Sequence, residues 1–376
     1  MAAVRNVLVV GGGAAGAAAA ILLAEGGVSV DLVDSRPAAG AAGSGITLQG
    51  NALRVLRQLG VWDQIREHGY PFDTLGLRAP DPHGSLIAEL DDVRTGGPDL
   101  PATLGMYRPE LARILLNRAV AAGAKVRLGT TCSGLQQDAA GVDASFADSS
   151  TGRYDLVVGA DGIRSRTRRM LGIDLETRAT GMGIWRAFTS RPASVTRTDL
   201  YYGGHCYIAG YCPTGADSLY AYLVEDAQDR SSLSPEESLA VMRGLAQAYH
   251  GPWDDIREVL TDASTVNYTW FESHLLPAPW HRGRVVLIGD AVHACPPTLA
   301  QGGAQALEDA AVLAELLLAA DAVTDGMWQA FTERRFDRAK TTVEASLQLA
   351  QWLLDGERGD VPGLIARVAH LLSEPA

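Results

Sequence analysis

The sequence predicts an α/β fold: a parallel sheet with helices on its faces, interleaved with a β-rich second part and closed by helices at its C-terminal end. Three observations predict it. The chain opens as VLVVGGGAAGAAAAILLA (7–24), which reads as a β-branched strand, a glycine turn and an alanine-rich helix. Two further apolar runs, LVVG at 156–159 and VVLIG at 285–289, each lead into a paired Gly and Asp, as buried parallel strands do at a ligand-binding edge. Between them, residues 181–226 turn β-like. Trp185, Tyr201, Tyr202, Tyr207, Tyr211, Tyr220 and Tyr222 are spaced there as in an antiparallel sheet over a pocket.

A length of 376 residues allows two or three domains, or one large domain with an inserted lobe. Glycine is plentiful at 41 residues, about a tenth of the chain against a usual ~7%. Acidic residues outnumber basic ones, 44 to 32, for a net charge of −12. With no long Lys/Arg run, that balance argues against a nucleic-acid partner. Cys132, Cys206, Cys212 and Cys295 have no metal-ligand spacing. No metal site is expected, and they read as reduced thiols of a cytoplasmic protein. The apolar run 7–24 has the length of a membrane span. Gly11, Gly12 and Gly13 interrupt it, and it divides into strand and helix, so no membrane partner is expected.

The elements follow in order. Val7–Val10, the glycine turn, a helix to Ala24 and Val28–Val33 make the first β-α-β unit. Asn51–Leu59 reads as a helix that Gly60 ends. Residues 70–101, with Pro, Gly and short alternations, read as an excursion from the first domain. Pro109–Ala122 is an amphipathic helix with Leu111, Leu115 and Val120 inside. Lys125–Leu128, Leu156–Gly159 and Val285–Gly289 are strands, and Ser234–Tyr249 and Asp309–Leu318 are helices. After Met327 the chain is helical nearly to its end, with Leu364, Ile365, Val368, Leu371 and Leu372 on one face. The expected division is a discontinuous nucleotide domain (1–72, 101–178 and 275–355), a β-sheet substrate domain (73–100 and 179–274) and a C-terminal helix (356–376).

Gly11-Gly12-Gly13-Ala14-Ala15-Gly16 fits G-x-G-x-x-G. Gly11 permits the turn, Gly13 lets backbone approach a pyrophosphate, and Gly16 lets the helix pack on the strand. The helix N-terminus supplies free N–H groups for phosphate. Asp34, ending the second strand, is placed to accept ribose hydroxyls. This motif alone leaves NAD and FAD open. DLVVGADGIRSRTR (155–168) and VVLIGDA (285–291), the latter followed by His293, Pro296, Pro297 and AQGGAQALEDA (300–310), decide between them. A carboxylate at Asp290 suits a polyol such as a ribityl chain. The Gln301-Gly302-Gly303 turn opens a helix whose dipole favours an anionic reduced flavin.

These motifs, in this order and spacing, resemble the single-component FAD-dependent aromatic hydroxylases, the group of p-hydroxybenzoate, salicylate and 6-hydroxynicotinate hydroxylases. The segments GSGITLQGNALRVLRQLG (43–60), YRPELARILL (107–116) and FTERRFDRAKTTVEAS (331–346) carry the same resemblance. It implies a Rossmann-like FAD-binding domain of the GR2 flavoprotein type interleaved with a β-sheet substrate-binding domain. It implies non-covalent FAD, NAD(P)H as a transient co-substrate, and O2 used through a flavin C4a-hydroperoxide to hydroxylate a small aromatic or heteroaromatic phenol. It places Gly11, Gly13, Ala15, Gly16, Asp34, Ser35 and Arg36 at the ADP half of FAD, and Thr47, Arg108 and Cys132 elsewhere along the cofactor. Asp161 and Gly162 would serve FAD and NAD(P)H, and Gly289 and Asp290 the ribityl. Pro296, Pro297, Ala300, Gln301, Gly302 and Gly303 would flank the flavin ring. Ala300 departs from the commoner glycine of the group. Thr47 stands where some pyridine hydroxylases carry a His, so their substrate-deprotonation scheme does not transfer.

For the substrate, period 2 places His205, Tyr207 and Tyr211 on one face of a strand, and these three are the expected catalytic residues. Tyr207, Tyr211, Arg186 and Pro296 are the expected substrate contacts. His293 reads as a structural hydrogen-bonder and Cys295 as packing. The rival readings are an FAD reductase or dehydrogenase without oxygen insertion, and a non-catalytic flavin-binding redox sensor. A halogenase would need W-x-W-x-I-P, which the sequence lacks. The partner expected is a small aromatic molecule, and the protein a monomer or homodimer.

Overall fold

A computed structural model describes residues 2–37 and 43–376. A six-stranded sheet runs in the order His281–Arg282, Val285–Leu287, Leu156–Gly159, Asn6–Val10, Ser29–Asp34, Lys125–Leu128. All its pairs are parallel except the first. The strands are Val- and Leu-rich and buried because both faces are covered.

An eight-stranded sheet runs His293–Ala294, Val266–Leu275, Arg178–Ser190, Ser218–Asp226, Ile208–Pro213, Thr198–Tyr202, Thr74–Arg78, Leu86–Asp91. The segment 74–91, from the Pro/Gly-rich excursion, therefore joins this second sheet at its edge. A small sheet of Gly45–Gln49, Thr103–Tyr107 and Tyr70–Phe72 lies at the seam between the two, and a three-stranded sheet covers 132–154.

The helices are α1 (Ala14–Glu25), α2 (Gly50–Gln58), α3 (Trp62–His68), α4 (Arg108–Ala121), α5 (Arg166–Met170), α6 (Pro235–Ala246), α7 (Pro252–Val259), α8 (Gly302–Ala319), α9 (Asp325–Asp355) and α10 (Val361–Ser373). Helix α1 opens on small residues, Ala14–Ala20, where it is squeezed against its strand: a Cβ on Gly16 would lie 1.8 Å from the Gly11 carbonyl oxygen. Ser234 starts α6 with a capping box to Glu237. Helices α6 and α7 cover one face of the eight-stranded sheet, enclosing Trp185, Tyr201, Tyr211, Tyr249 and Trp253. The 31-residue α9 spans the molecule, with Phe331 and Ala339 in the core of the six-stranded sheet and Ala350 against the eight-stranded one.

Three expectations change in detail. Val120 and Ile365 are exposed, not inward, because each sits one step outside its helix's apolar stripe. The C-terminal helical run is two helices: Gly356, with φ +66°, ends α9 in the left-handed region. Helix α8 begins at Gly302, at the glycine turn expected to open a helix, and so takes in the seven residues ahead of the Asp309–Leu318 run.

Candidate active site

The glycine turn places a donor set at the edge of the parallel sheet. Helix α1 has no side-chain cap and no acidic residue in its first turn, so its leading N–H groups are free for an anion. A Cβ on Gly13 would meet nothing within 4 Å, whereas one on Gly11 would lie 2.3 Å from the Ala160 carbonyl oxygen. The open side of Gly13 fits a pyrophosphate. Asp34 accepts from the Gly12 N–H at 2.6 Å and from Arg36 through both oxygens. Burial opposes its ionisation, but Arg36 and these N–H groups outweigh it and hold the carboxyl below its usual value. Ser35 is exposed beside it.

Two expected cofactor side chains are engaged elsewhere. The Asp161 carboxylate accepts from Ser165 Oγ at 2.5 Å and from the N–H groups of Arg166 and Thr167, so it caps α5. Gly162, at φ +79° with open space beside it, keeps backbone accessible there. Cys132 is buried among Val142, Phe146 and Tyr154, and its thiol donates to the Gly134 carbonyl. Its side chain presents no surface to a ligand.

Asp290 follows Gly289 (φ +61°), whose N–H donates to Asp309 at 2.8 Å. Asp290 has water-accessible surface, yet burial raises its carboxyl above the ordinary value, a combination found on the wall of a concavity. Behind it, the neutral His274 ring bridges the Asp290 carbonyl (Nε2, 2.9 Å) and the Thr177 hydroxyl (Nδ1, 2.8 Å); burial lowers His274 to about 4. The charge of Arg108, at the start of α4, acts on both Asp290 and Arg186. Arg108 therefore lies within electrostatic reach of both, and we take the space among the three as the candidate cleft. Arg108 makes no ion pair among the described residues.

The loop between Pro296 and α8 closes the cleft. Pro296 is buried and Pro297 exposed, so the second proline, not the first, is presented outward. Ala300 sits at φ +53°, ψ 30°, in the left-handed region where glycine costs nothing. Gln301 is buried: its side-chain amide donates to Gln49 at 2.7 Å, and only its backbone remains for a ligand. Gly302 and Gly303 open α8, which has no side-chain cap. His293 is structural, as expected, with Nε2 2.7 Å from Asp309. Arg335 Nε meets the other oxygen of Asp309, also at 2.7 Å. Sequence reasoning missed this buried charge cluster. Its signal was present: adjacent Glu308 and Asp309 in a largely apolar helix, and Arg335 and Arg338 three apart on another.

The eight-stranded sheet presents three rows of side chains to the cleft side. Ile184, Val224 and Ile208 form one, buried under Ala350, Leu353 and Leu354 of α9. Phe188, Tyr220 and Cys212 form another against the seam. There Phe188 stacks on Tyr107 at 4.0 Å, Tyr220 packs on Gly45, Cys212 on Gly105, and Thr47 Oγ1 lies 3.6 Å from the Cys212 sulfur. The middle row holds Arg186, Tyr222 and Gly210, and there Arg186 and Tyr222 keep accessible surface between the two covers. Tyr222 stacks on Tyr220 at 5.0 Å, and its ring lies over Gly210, which has no room for a Cβ. Arg186 has one hydroxyl partner, Thr269 at 2.6 Å, and burial lowers its pKa.

The three expected catalytic residues are not in this row. Tyr211 faces the opposite side, under α6 and α7, and donates to Asp199 at 2.7 Å. The strand begins only at Ile208, so His205 lies exposed in a turn. Tyr207 donates to Asp226 at 2.6 Å and lines a surface depression with Tyr202 and Trp352.

Fold and cleft define a dinucleotide-binding oxidoreductase with a large antiparallel sheet beside its parallel one. The sequence matches the family described as FAD binding domain over residues 5–346. It is 31% identical over 354 residues to 2-heptyl-3-hydroxy-4(1H)-quinolone synthase of Pseudomonas aeruginosa PAO1, covering 92% of this chain and 90% of that one. It is 29% identical over 321 residues to 6-hydroxynicotinate 3-monooxygenase of Bordetella bronchiseptica, covering 83% and 82%. The solved structure of 2-methyl-3-hydroxypyridine-5-carboxylic acid oxygenase in its tetrameric form superposes with a TM-score of 0.81 at 26% identity, covering 97% of this chain and 96% of that one. The chain belongs to the FAD binding domain family and is an FAD-dependent monooxygenase. Among the described residues, no helix is long and apolar enough to cross a membrane.

Proposed function

We propose that the protein hydroxylates a small aromatic or heteroaromatic phenol, with NAD(P)H as reductant and O2 as oxidant. The observation that carries this reading is the open middle row. It offers one cation, Arg186, and the Tyr222 ring stacked on Tyr220 of the next row, and the charge of Arg108 reaches both Arg186 and Asp290. FAD, when bound, supplies the activation of O2 and the delivery of one oxygen atom to the ring. Gly13, the α1 N-terminus, Asp34 and Arg108 would hold its ADP half and chain, Asp290 the ribityl, and Ala300–Gly303 the ring edge.

The protein's own task is to bind, orient and keep dry. Tyr220 and Tyr222 form an apolar wall for a planar ring, and burial keeps both phenols protonated, so they act as donors. Arg186 stabilises a phenolate or carboxylate on the substrate, and its desolvated position strengthens that attraction. The α9 cover and the Phe188–Tyr107 seam exclude water from both sides of the row. Tyr220 and Tyr222 therefore take the place of Tyr211, Tyr207 and His205 in this proposal, and Arg186 keeps its expected place as a substrate contact. The same reading has the protein acting in the cytoplasm as a monomer or homodimer, without nucleic-acid or membrane partners.

The test is a screen of aromatic acids, phenols and hydroxypyridines for stimulated NADH and NADPH oxidation, with mass detection of one added oxygen. Stimulated oxidation with no oxygenated product from any of them would favour a reductase on the same fold. Bound FAD with no stimulation at all would favour a redox sensor.

A further inference from the structure

Helix α10 packs on α9 and on the loop that carries Leu299. Its last turn does more than cover. Arg338 of α9 grips both oxygens of Glu308 (Nε and Nη2, 2.8 Å each) and also donates to the carbonyls of Leu371 at 2.6 Å and Glu374 at 2.9 Å. Arg54 of α2 donates to the carbonyls of Ser373 and Glu374, at 3.1 Å each, and lies 3.6 Å from Glu308. Arg335 donates to Glu308 at 3.0 Å and to Asp309. Three guanidiniums thus face two buried carboxylates. The carbonyl end of α10, with its partial negative charge, supplies the missing counter-charge.

Glu308 is continuous with the cleft loop through one residue. Asn51, fully buried, donates its amide to Glu308 Oε1 at 3.2 Å and to Gln301 Oε1 at 3.1 Å. An ionised Glu308 only accepts, so the amide nitrogen must face it, which fixes how Asn51 presents itself to Gln301. Gln301 donates in turn to Gln49 and to Asn51 Oδ1, and accepts from Gln305. Every hydrogen-bonding group of the Gln301 amide is used, and the backbone beyond it opens α8 at the cleft.

We propose that the last turn of α10 is a remote anchor of the flavin-facing loop, acting through Arg338 and Arg54, then Glu308, Asn51 and Gln301. These are positioning residues, and none touches the substrate. If the α10 carbonyls are lost, two partly or fully buried guanidiniums lose acceptors and draw Glu308 toward themselves. Asn51 then loses its orientation, and Gln301 with it. The proposal rests on the reading that this loop faces the flavin.

The test uses a chain shortened to end at His370, and Arg54→Met with Arg54→Lys as its conservative partner. Amide hydrogen exchange is measured on the apoprotein. Exchange at Ala300 and Gln305 should speed by about tenfold, while Leu8 and Val158 in the parallel sheet stay protected. Arg54→Lys should restore part of the protection. The FAD dissociation constant should rise by a similar factor, and the absorption envelope of bound FAD should shift. Unchanged exchange at Ala300 and Gln305 in a shortened chain that keeps its sheet protection overturns the proposal. If the shortened chain does not fold, Arg54→Met decides by the same criteria. A parent protein that takes up no FAD would refute the flavin reading, while exchange in the apoprotein still decides the anchor.

Discussion

Tyr211 and Tyr222 stand on adjacent strands of one sheet, one register step apart, and face opposite sides of it: Tyr211 pairs with Ala221, and Tyr222 with Gly210. Tyr211 is enclosed with Trp253 and Tyr201 and bonds Asp199, while Tyr222 looks into the cleft. Tyr211→Phe should cost about 1–2 kcal/mol of stability in urea unfolding, because Asp199 loses a buried donor but keeps Arg78 and Arg197. Its KM should not move. Tyr222→Phe should leave stability nearly unchanged and lower kcat/KM about tenfold. The reverse pattern would return Tyr211 to the substrate list.

The two glycines of the first turn separate folding from cofactor binding. Gly13 has extended backbone (φ −75°, ψ −172°) and open space where a side chain would go. Gly13→Val should leave the apoprotein's Tm almost unchanged and weaken FAD binding by at least about tenfold. Gly16→Ala, with its methyl driven into the Gly11 carbonyl, should lower both. Calorimetry and flavin fluorescence titration on the pair check this.

Ala300 holds a backbone conformation that favours glycine. Ala300→Gly should therefore stabilise the protein by about 1 kcal/mol, set by relief of the left-handed alanine less the added freedom of the unfolded glycine. Chemical denaturation of the apoprotein reads this directly. A loss of stability would mean that the methyl group packs usefully.

His274 is neutral because burial lowers it to about 4 from an ordinary 6.5. The unfolded chain takes up the proton first as pH falls. The stability His274 protects is therefore full above pH 6.5 and is lost progressively down to about pH 4, roughly 3 kcal/mol in all. His274→Gln should flatten the stability profile across that window, measured as urea midpoints at pH 7, 6 and 5.

Much of the cofactor half was legible because its determinants are local. A β-branched run, a glycine turn and an alanine helix are contiguous, and a strand that stops at Gly289-Asp290 presents its carboxylate by sequence alone. The substrate half was not legible in the same way. Period 2 sorts Tyr201 and Tyr211 from Tyr220 and Tyr222, yet both sets are aromatic and both faces of this sheet are covered. Which set is covered depends on where α6 and α7 pack, and that packing is a contact between segments far apart in the chain. The Asp161 carboxylate is a similar case: that it accepts the first N–H groups of α5, beside the Ser165 cap, follows from a turn geometry that the residue type does not specify.

The sequence by itself determined an α/β flavoprotein with a glycine turn or a paired Gly and Asp at three strand ends. Only the tertiary structure decided that Arg186 and Tyr222 keep accessible surface between α9 and the seam. It alone showed that Gln301 turns inward to a buried charge cluster reaching the last turn of α10. The physical reason is the same in both cases. Local periodicity fixes which side chains share a face, but the face that remains open is whatever distant elements leave uncovered.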